Sequence, residues 1–436
     1  MPPKSIRPFP LCQIPTITGS LSTNVGALKK LLLSINSYSI TKHHTPSPHN
    51  TQEPREKYKK RISNIIGAMQ TQTDIFAYGL TETESIPSYA DLMNTLNQPP
   101  YRAKQLAQWL WVHGVNTYDD MVNLPASLRT QLTEVAPLHR ATAQRVQHST
   151  DATRKYLLRF TGNTHVEAVG LPGTNNRLTV CVSAQAGCAL ACTFCATGRG
   201  GLIRNLLPGE IAEQVRIVGA DFNQRISNVV VMGQGEPFQN YNATLAALRI
   251  INTSENTGGL DIGARHITVS TSGIISGIKR FSTEPEQFTL AVSLHSAVQT
   301  TRNKLMPGLK SQPLDQLKHA LRHYCQTAKR RPSLEYALIK NVNDSKAEIA
   351  ALTEFARGTG AHINLIPLNE STTSDHSTNS KQPALQPATQ QATTTIAEIL
   401  RSHGIETTVR KRRGADIAAA CGQLATESQR QSNYTS

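Results

Sequence analysis

From about residue 150 onward, short runs rich in Val, Ile and Thr alternate with longer stretches of helical period, and this alternation constrains the fold more tightly than any other feature. Candidate strands cover 178–183, 226–232, 266–270, 289–294, 333–339, 362–366 and 405–409, with helical stretches near 208–220, 243–253, 313–328, 346–357 and 392–403. Connections of that kind carry the chain back across the sheet between strands, which makes neighbouring strands parallel. The expected fold class is therefore α/β with parallel strands. In parallel α/β barrels the chemistry gathers at the C-terminal ends of the strands, and the polar motifs fall there. Cys188 follows the first strand, Gly233-Gln234-Gly235-Glu236-Pro237 follows the second, Ser270-Thr271-Ser272-Gly273 ends the third, Ser293-Leu294-His295 ends the fourth, and Asn369 lies just after the sixth. The stretch Glu370 to Thr394, crowded with Ser, Thr, Gln and Pro, reads as a surface loop insertion.

Three cysteines, Cys188, Cys192 and Cys195, stand in a C-x3-C-x2-C spacing directly after the first strand. Thiolates are soft ligands that suit iron-sulfur centres or zinc, but a closed structural zinc site wants four ligands and no fourth lies at a matching spacing. A [4Fe-4S] cluster held by three cysteines keeps one iron open, and that iron can chelate the amino and carboxylate groups of S-adenosylmethionine (SAM) and, once reduced, cleave its sulfur-carbon bond. This is the radical-SAM spacing. Two plainer readings stay open on the cysteines alone: a zinc site completed by His295, and small buried residues that pack like hydrophobes. The glycine-rich turn after Met232 allows close backbone approach to a ligand, and Glu236 can accept from the methionyl amine of SAM; by itself the turn is equally a tight strand-to-helix connection.

Seven cysteines, odd in number and unevenly placed, argue against a secreted disulfide framework and for a reducing compartment. Cys12 and Cys325 match no motif. No apolar run is long enough to span a membrane, since Leu31-Leu32-Leu33 is followed at once by Ser34 and Asn36, so a soluble protein is expected. The net charge of +15 points to a polyanionic partner, yet residues 1–68 alone hold ten Lys/Arg against two Asp/Glu, and the body is only mildly basic. Lys329-Arg330-Arg331 and Arg410-Lys411-Arg412-Arg413 are local runs that can meet phosphates or simply form solvated faces. Residues 1–52 contain no Asp or Glu, a composition shared with organellar transit peptides, but amphipathicity is weak; a disordered extension or a true start at Met69 is the favoured reading, with a cytoplasmic location.

From Glu82 to Leu138 the pattern is helical, with Leu106, Trp109 and Leu110 near one face. The expected organisation is a basic extension 1–68, a small helical accessory domain 69–149 that can bind RNA, a catalytic domain 150–425 and a tail 426–436.

Several runs together resemble the RlmN/Cfr family of radical-SAM RNA adenine methyltransferases: Cys181 to Cys195, Arg204-Asn205-Leu206, Met232 to Pro237, Ile267 to Gly273, Ser293-Leu294-His295, Ile363 to Pro367, and Arg413 to Leu424. The likeness covers residues 80 to about 425 and includes Asn123-Leu124-Pro125 in the helical segment. It implies a partial (β/α)6 barrel, one [4Fe-4S] cluster on Cys188, Cys192 and Cys195, and SAM contacts at Gly235, Glu236, Ser270, Ser293, Leu294, His295 and Asn369. It implies as substrates adenine 2503 of 23S rRNA and adenine 37 of certain tRNAs, with a flavodoxin or ferredoxin as electron donor and a monomeric enzyme. Gln185-Ala186-Gly187-Cys188, Gly235-Glu236-Pro237 and Arg413-Gly414-Ala415-Asp416 resemble the branch that methylates adenine C2 rather than the sister branch that methylates C8. Gln234 stands where methionine is frequent, and Glu370 where proline is usual.

By the same resemblance, Cys421 takes a methyl group from one SAM, a second SAM generates the radical that activates that methyl, the carbon adds to C2, and Cys181 closes on Cys421 as a transient disulfide that frees the RNA. Glu167 matches a position assigned as proton acceptor; as a residue it is also an ordinary strand carboxylate. Two other classes remain at this point. A radical-SAM enzyme acting on protein or a small molecule leaves Cys181 and Cys421 unexplained, and a zinc-knuckle RNA-binding protein predicts bound zinc and indifference to loss of Cys421.

Overall fold

The computed structural model describes residues 73–369 and 385–424. The basic extension with Cys12 and Met69, most of the insertion that begins at Glu370, and the tail 426–436 lie outside the described residues. In chain order the strands are β1 (Thr142–His148), β2 (Arg154–Phe160), β3 (Thr164–Pro172), β4 (Leu178–Cys181), β5 (Gln185–Gly187), β6 (Leu202–Asn205), β7 (Asn228–Val231), β8 (Ile267–Thr271), β9 (Thr289–Ser293), β10 (Ser333–Leu338), β11 (His362–Pro367) and β12 (Thr407–Val409). Ten of them form one sheet in the order β1-β2-β3-β4-β7-β8-β9-β10-β11-β12, and β5 and β6 make a separate hairpin. All pairings from β4 to β12 are parallel, as the alternation requires.

The other end of the sheet departs from that rule. β1, β2, β3 and β4 pair antiparallel, so a meander precedes the parallel unit. Of these, β1 is exposed along most of its length, and its sequence Thr142-Ala143-Gln144-Arg145-Val146-Gln147-His148 has no apolar alternation to announce it.

Helices cover the parallel strands. The helix Pro208–Phe222 starts with Pro at a position where a missing N–H costs nothing, and Glu210 accepts from the Leu207 amide at 2.8 Å. It buries Ile211, Ala212, Val215 and Val218 and packs against β2, β3 and the helix Tyr241–Asn252. The helix after the insertion runs Gln390–Ser402, capped by Thr389, so it begins inside the stretch that its Ser/Thr/Gln content had marked as loop.

The N-terminal segment is helical as expected, with Tyr89–Thr95, Tyr101–Ala107 and Ala126–Val135. One detail differs. Trp109 packs half-buried against the core with Leu106 and Leu110, and Trp111 is buried there as well, because Gln108–His113 is a π-helical turn whose i→i+5 period brings residue 111 beneath residue 106. Trp111 donates to the Tyr89 hydroxyl at 3.2 Å and stacks on Phe76 at 5.6 Å. Arg140 fastens this segment to the sheet, bonding Leu110 O and Val115 O while pairing at 2.7 Å with Glu213, fully buried on the helix Pro208–Phe222. Among the described residues no helix is long and apolar enough to cross a membrane.

Candidate active site

A cavity opens at the C-terminal ends of the parallel strands. It is lined by all three cysteines of the C-x3-C-x2-C run and by Gly235, Glu236, Ser270, Ser293, His295, Asn369 and Cys421, so most residues singled out from the sequence share one space. Leu294, Cys181 and Glu167 lie outside that lining. Leu294 is buried in the core and contributes backbone only, its N–H donating to Glu335 O.

The cysteine loop is braced from both sides. The Cys188 N–H donates to Gly201 O at 2.8 Å across the β5–β6 hairpin, the Thr193 N–H donates to Leu305 O, and Gly308 N–H donates to Leu190 O. Leu190 packs with Leu305, Met306 and Leu309 beneath the loop. Burial pushes the Cys188 thiol up to about 11 and that of Cys192 higher still, so a bound cation is what draws these protons off. Among the described residues no three His, Cys, Asp or Glu groups converge on a single metal ion.

Opposite the cysteines, the turn after β7 sets the cavity floor. Gly235 has φ +97°, and a Cβ there would stand 2.5 Å from Gln185 Cβ, so only glycine lets the turn lie against the strand that leads into the cysteine loop. Gln185 Oε1 accepts from the Glu236 N–H at 2.8 Å, tying floor to loop. The Glu236 carboxylate accepts from the Thr271 hydroxyl, the Ser272 N–H and the Phe238 N–H at 2.7, 2.7 and 3.0 Å. Burial raises its pKa, and these donors act against that.

Three buried or half-buried charges stand at the site; the sequence marks only Arg410, as part of a basic run. Arg302, 1% exposed, donates to the carbonyls of Ser272, Ser293 and Leu294, and so clamps the ends of β8 and β9 together. Glu335 on β10 bonds Asn364 at 2.8 Å and stands 3.7 Å from Arg410. Burial raises the pKa of both the Cys181 and the Cys421 thiol, and the charge of nearby Arg410 acts against that in each. All three charges act through partners distant in the chain. His295 accepts from the Ala337 N–H at 3.0 Å through Nδ1, which leaves the proton on Nε2 of a neutral ring. Burial and nearby Arg302 lower its pKa to about 3.

Cys421 is open to the cavity, its carbonyl accepting from Asn369 Nδ2 at 3.2 Å, and the next carbonyl, Gly422 O, accepts from the Ala196 N–H beside Cys195. Cys181 ends β4 in a small apolar cluster with Val169, Ala419 and Leu424. Burial, and next the charge of nearby Cys421, push its thiol up to about 12. Both are free thiols. Glu167 is buried on β3 and pairs with Lys155 at 3.1 Å. Gln234 is buried, and neither atom of its side-chain amide has a partner among the described residues.

Among the described residues, Asn369 Oδ1 and Glu335 Oε2 are buried acceptors at the cavity without a hydrogen-bond donor, Glu335 Oε2 standing 3.7 Å from Arg410. SAM carries an ammonium, an adenine amine and ribose hydroxyls, which are the donors such atoms need, and three soft thiolates suit an iron-sulfur cluster. The residues fit both groups.

Residues 182–353 match the family model of the radical SAM superfamily, and residues 86–138 match that of the ribosomal RNA large subunit methyltransferase N-terminal domain. A protein of Symbiobacterium thermophilum named probable dual-specificity RNA methyltransferase RlmN is 42% identical over 349 residues, covering 79% of this chain and 91% of its own length. The chain belongs to the RlmN family. An RlmN relative from Synechocystis sp. is 40% identical across 78% of this chain and 93% of its own. The crystal structure of a radical SAM methyltransferase from Sphaerobacter thermophilus superimposes with a TM-score of 0.71 at 39% identity, covering 81% of this chain and 99% of that one. The mostly parallel sheet of this RlmN-family chain is thus the radical-SAM fold, and the fused helical segment is the family's N-terminal domain.

Proposed function

We propose that this chain is a radical-SAM RNA methyltransferase that modifies C2 of adenine 2503 in 23S rRNA and C2 of adenine 37 in tRNAs. The observation that carries the reading is the position of Cys421, a thiol exposed in the same cavity as Cys188, Cys192 and Cys195, with a second free thiol, Cys181, close by. Adenine C2 is an electrophilic amidine carbon and cannot attack a methyl sulfonium, so polar transfer straight to the base fails and the protein must carry the methyl itself. Cys188, Cys192 and Cys195 would hold a [4Fe-4S] cluster, which together with SAM would supply the electron and the hydrogen abstraction that a radical route needs.

The chain's residues do the rest. Arg410 favours the thiolate of Cys421, which takes a methyl group by displacement at the SAM sulfonium. Glu236, Ser270, Ser293, His295 and Asn369 line the space where SAM is held and oriented. After hydrogen abstraction the Cys421 methylene would bond to C2, tethering enzyme to RNA, and the adduct radical would give one electron back to the oxidised cluster as Glu167, oriented by Lys155, or the Cys181 thiolate accepts the C2 proton. The Cys181 thiolate then attacks the Cys421 sulfur: an S–S bond forms, the C–S bond breaks, and the released carbon takes a proton to complete the methyl group. Electrons come from a flavodoxin or ferredoxin, and the enzyme works in the cytoplasm as a monomer.

Mass spectrometry of nucleosides from rRNA and tRNA, incubated with anaerobically reconstituted enzyme, SAM and reductant, tests this. Wild type is expected to yield 2-methyladenosine, and Cys421→Ala none. 8-methyladenosine would place the chemistry at the other carbon, and product from Cys421→Ala would remove the methyl-carrier role.

A further inference from the structure

The segment that carries Cys421 is held by an element that sequence reading assigned to no function. The turn between β1 and β2 grips residues 413–418 at successive points. Asp416 accepts from the Ser149 hydroxyl at 2.6 Å and from the Thr150 N–H at 3.1 Å. Asp151 accepts from the Gly414 N–H at 3.1 Å. One residue into β2, the buried Lys155 ammonium donates to Ala418 O at 3.2 Å while paired with Glu167 at 3.1 Å. The backbone conforms to the grip. Gly414 has φ +58°, and a Cβ there would lie 2.9 Å from Thr153 Cγ2; Ala418 is held at φ +50°, a conformation that an alanine adopts only when its surroundings impose it. Against burial, hydrogen bonds from Thr153, Gly414 and Ser149 bring the Asp151 carboxyl down to about 2, so the grip is ionised.

Ala418 is three residues from Cys421, a reach of about 10 Å of extended chain, so fixing Ala418 confines the thiol to a small volume. Beyond Cys421 the segment has further anchors on the cysteine loop, where Gly422 O accepts from the Ala196 N–H and Leu424 O from the Thr197 hydroxyl. Between Arg413, which bonds Pro172 O, and those anchors, the hairpin supplies the hydrogen bonds that hold residues 414–418 to the body of the protein.

We infer that the β1–β2 hairpin is a clasp that sets the position of Cys421 relative to Cys181 and the cavity, and that Asp416 and Lys155 are positioning residues for the methyl carrier. This rests on the proposed role of Cys421. Asp416 touches neither cavity nor cofactor, and its partners are all on the hairpin turn, which is what separates positioning from catalysis.

The test uses the full chain with Asp416→Ala, Asp416→Asn and Ser149→Ala, chosen because these positions are not in the core. Hydrogen exchange of the 414–424 amides and the rate of iodoacetamide capture at Cys421 are read in the cluster-free protein; SAM KM and kcat are read in the reconstituted enzyme. Asp416→Ala is expected to speed exchange in 414–424 and alkylation of Cys421 about ten-fold, the worth of a charge-assisted hydrogen bond, and to lower kcat by a similar factor with KM for SAM unchanged. Asp416→Asn, which keeps an acceptor oxygen, is expected to restore most of each. Unchanged exchange and alkylation in both Asp416→Ala and Ser149→Ala would overturn the clasp, as would a fall in kcat without loosening of 414–424. Because exchange and alkylation need no methylation, wild type that makes no methyladenosine yet loosens on Asp416→Ala would sink the proposed reaction and leave the clasp standing.

Discussion

Replacing Gly235 with alanine is the sharpest probe of how the cavity floor is built. At φ +97° the backbone lies where a Cβ is strained, which costs about 1–3 kcal/mol. The new methyl would sit 2.5 Å from Gln185 Cβ and 2.8 Å from Gln185 Oε1, and relieving that overlap costs about 1–3 kcal/mol more. If Gln185 withdraws, the buried Glu236 N–H loses its acceptor, a further cost of about 1–3 kcal/mol. One movement relieves several of these at once, so they do not add in full; a loss of about 3–6 kcal/mol is expected against a typical total of about 5–15. Urea unfolding of the cluster-free chain measures the loss, and equilibrium dialysis of SAM on the reconstituted enzyme measures the damage to the site, expected to be complete. Adding Gln185→Ala removes the overlap with Gln185 Oε1 but keeps the 2.5 Å contact with Cβ and the backbone strain, and should recover no more than about 1 kcal/mol. A single-variant loss under about 1 kcal/mol with SAM binding intact would refute the account of the turn.

Other consequences are as direct. Arg302→Leu strips three carbonyls of a buried donor, and denaturant titration should show a loss of about 3–5 kcal/mol together with weakened SAM binding. His295 is neutral when folded, with its pKa near 3 against an ordinary value near 6.5, so the unfolded state binds the extra proton and stability falls as pH drops through that window. At pH 5 the loss is about 2 kcal/mol, which His295→Gln should lack when unfolding curves at pH 7 and 5 are compared. Gln234→Met removes two unpartnered buried polar atoms at similar volume and should raise stability by about 1–2 kcal/mol, read as a higher urea midpoint. Glu167→Gln leaves the Lys155 charge buried without a counter-ion and should destabilise by about 3–5 kcal/mol, whereas Lys155→Met with Glu167→Leu should regain most of it in the same assay.

What the sequence made legible was what is encoded locally. The three cysteines, the Gly233 to Pro237 turn and the Ser293-Leu294-His295 strand end are each a few residues long, and strand-to-helix alternation placed them on one edge of a parallel sheet. The antiparallel strand β1 escaped because an exposed edge strand needs no apolar pattern. Arg302 and Glu335 escaped, and Arg410 was read only as part of a basic run, because their meaning lies in carbonyls and thiols that come near only after folding. The full burial of Trp111 beside the expected Trp109 escaped because a π-turn is a change of phase that residue types alone do not signal.

The Cys421 segment packs on the first hairpin of the sheet and on the cysteine loop, although it follows every strand in sequence. During synthesis the cysteines leave the ribosome long before the residue that covers them, so the nascent chain passes through a stage in which the loop is complete and its cavity lacks one wall. Access to the three cysteines from the side that Cys421 later closes is widest in that interval.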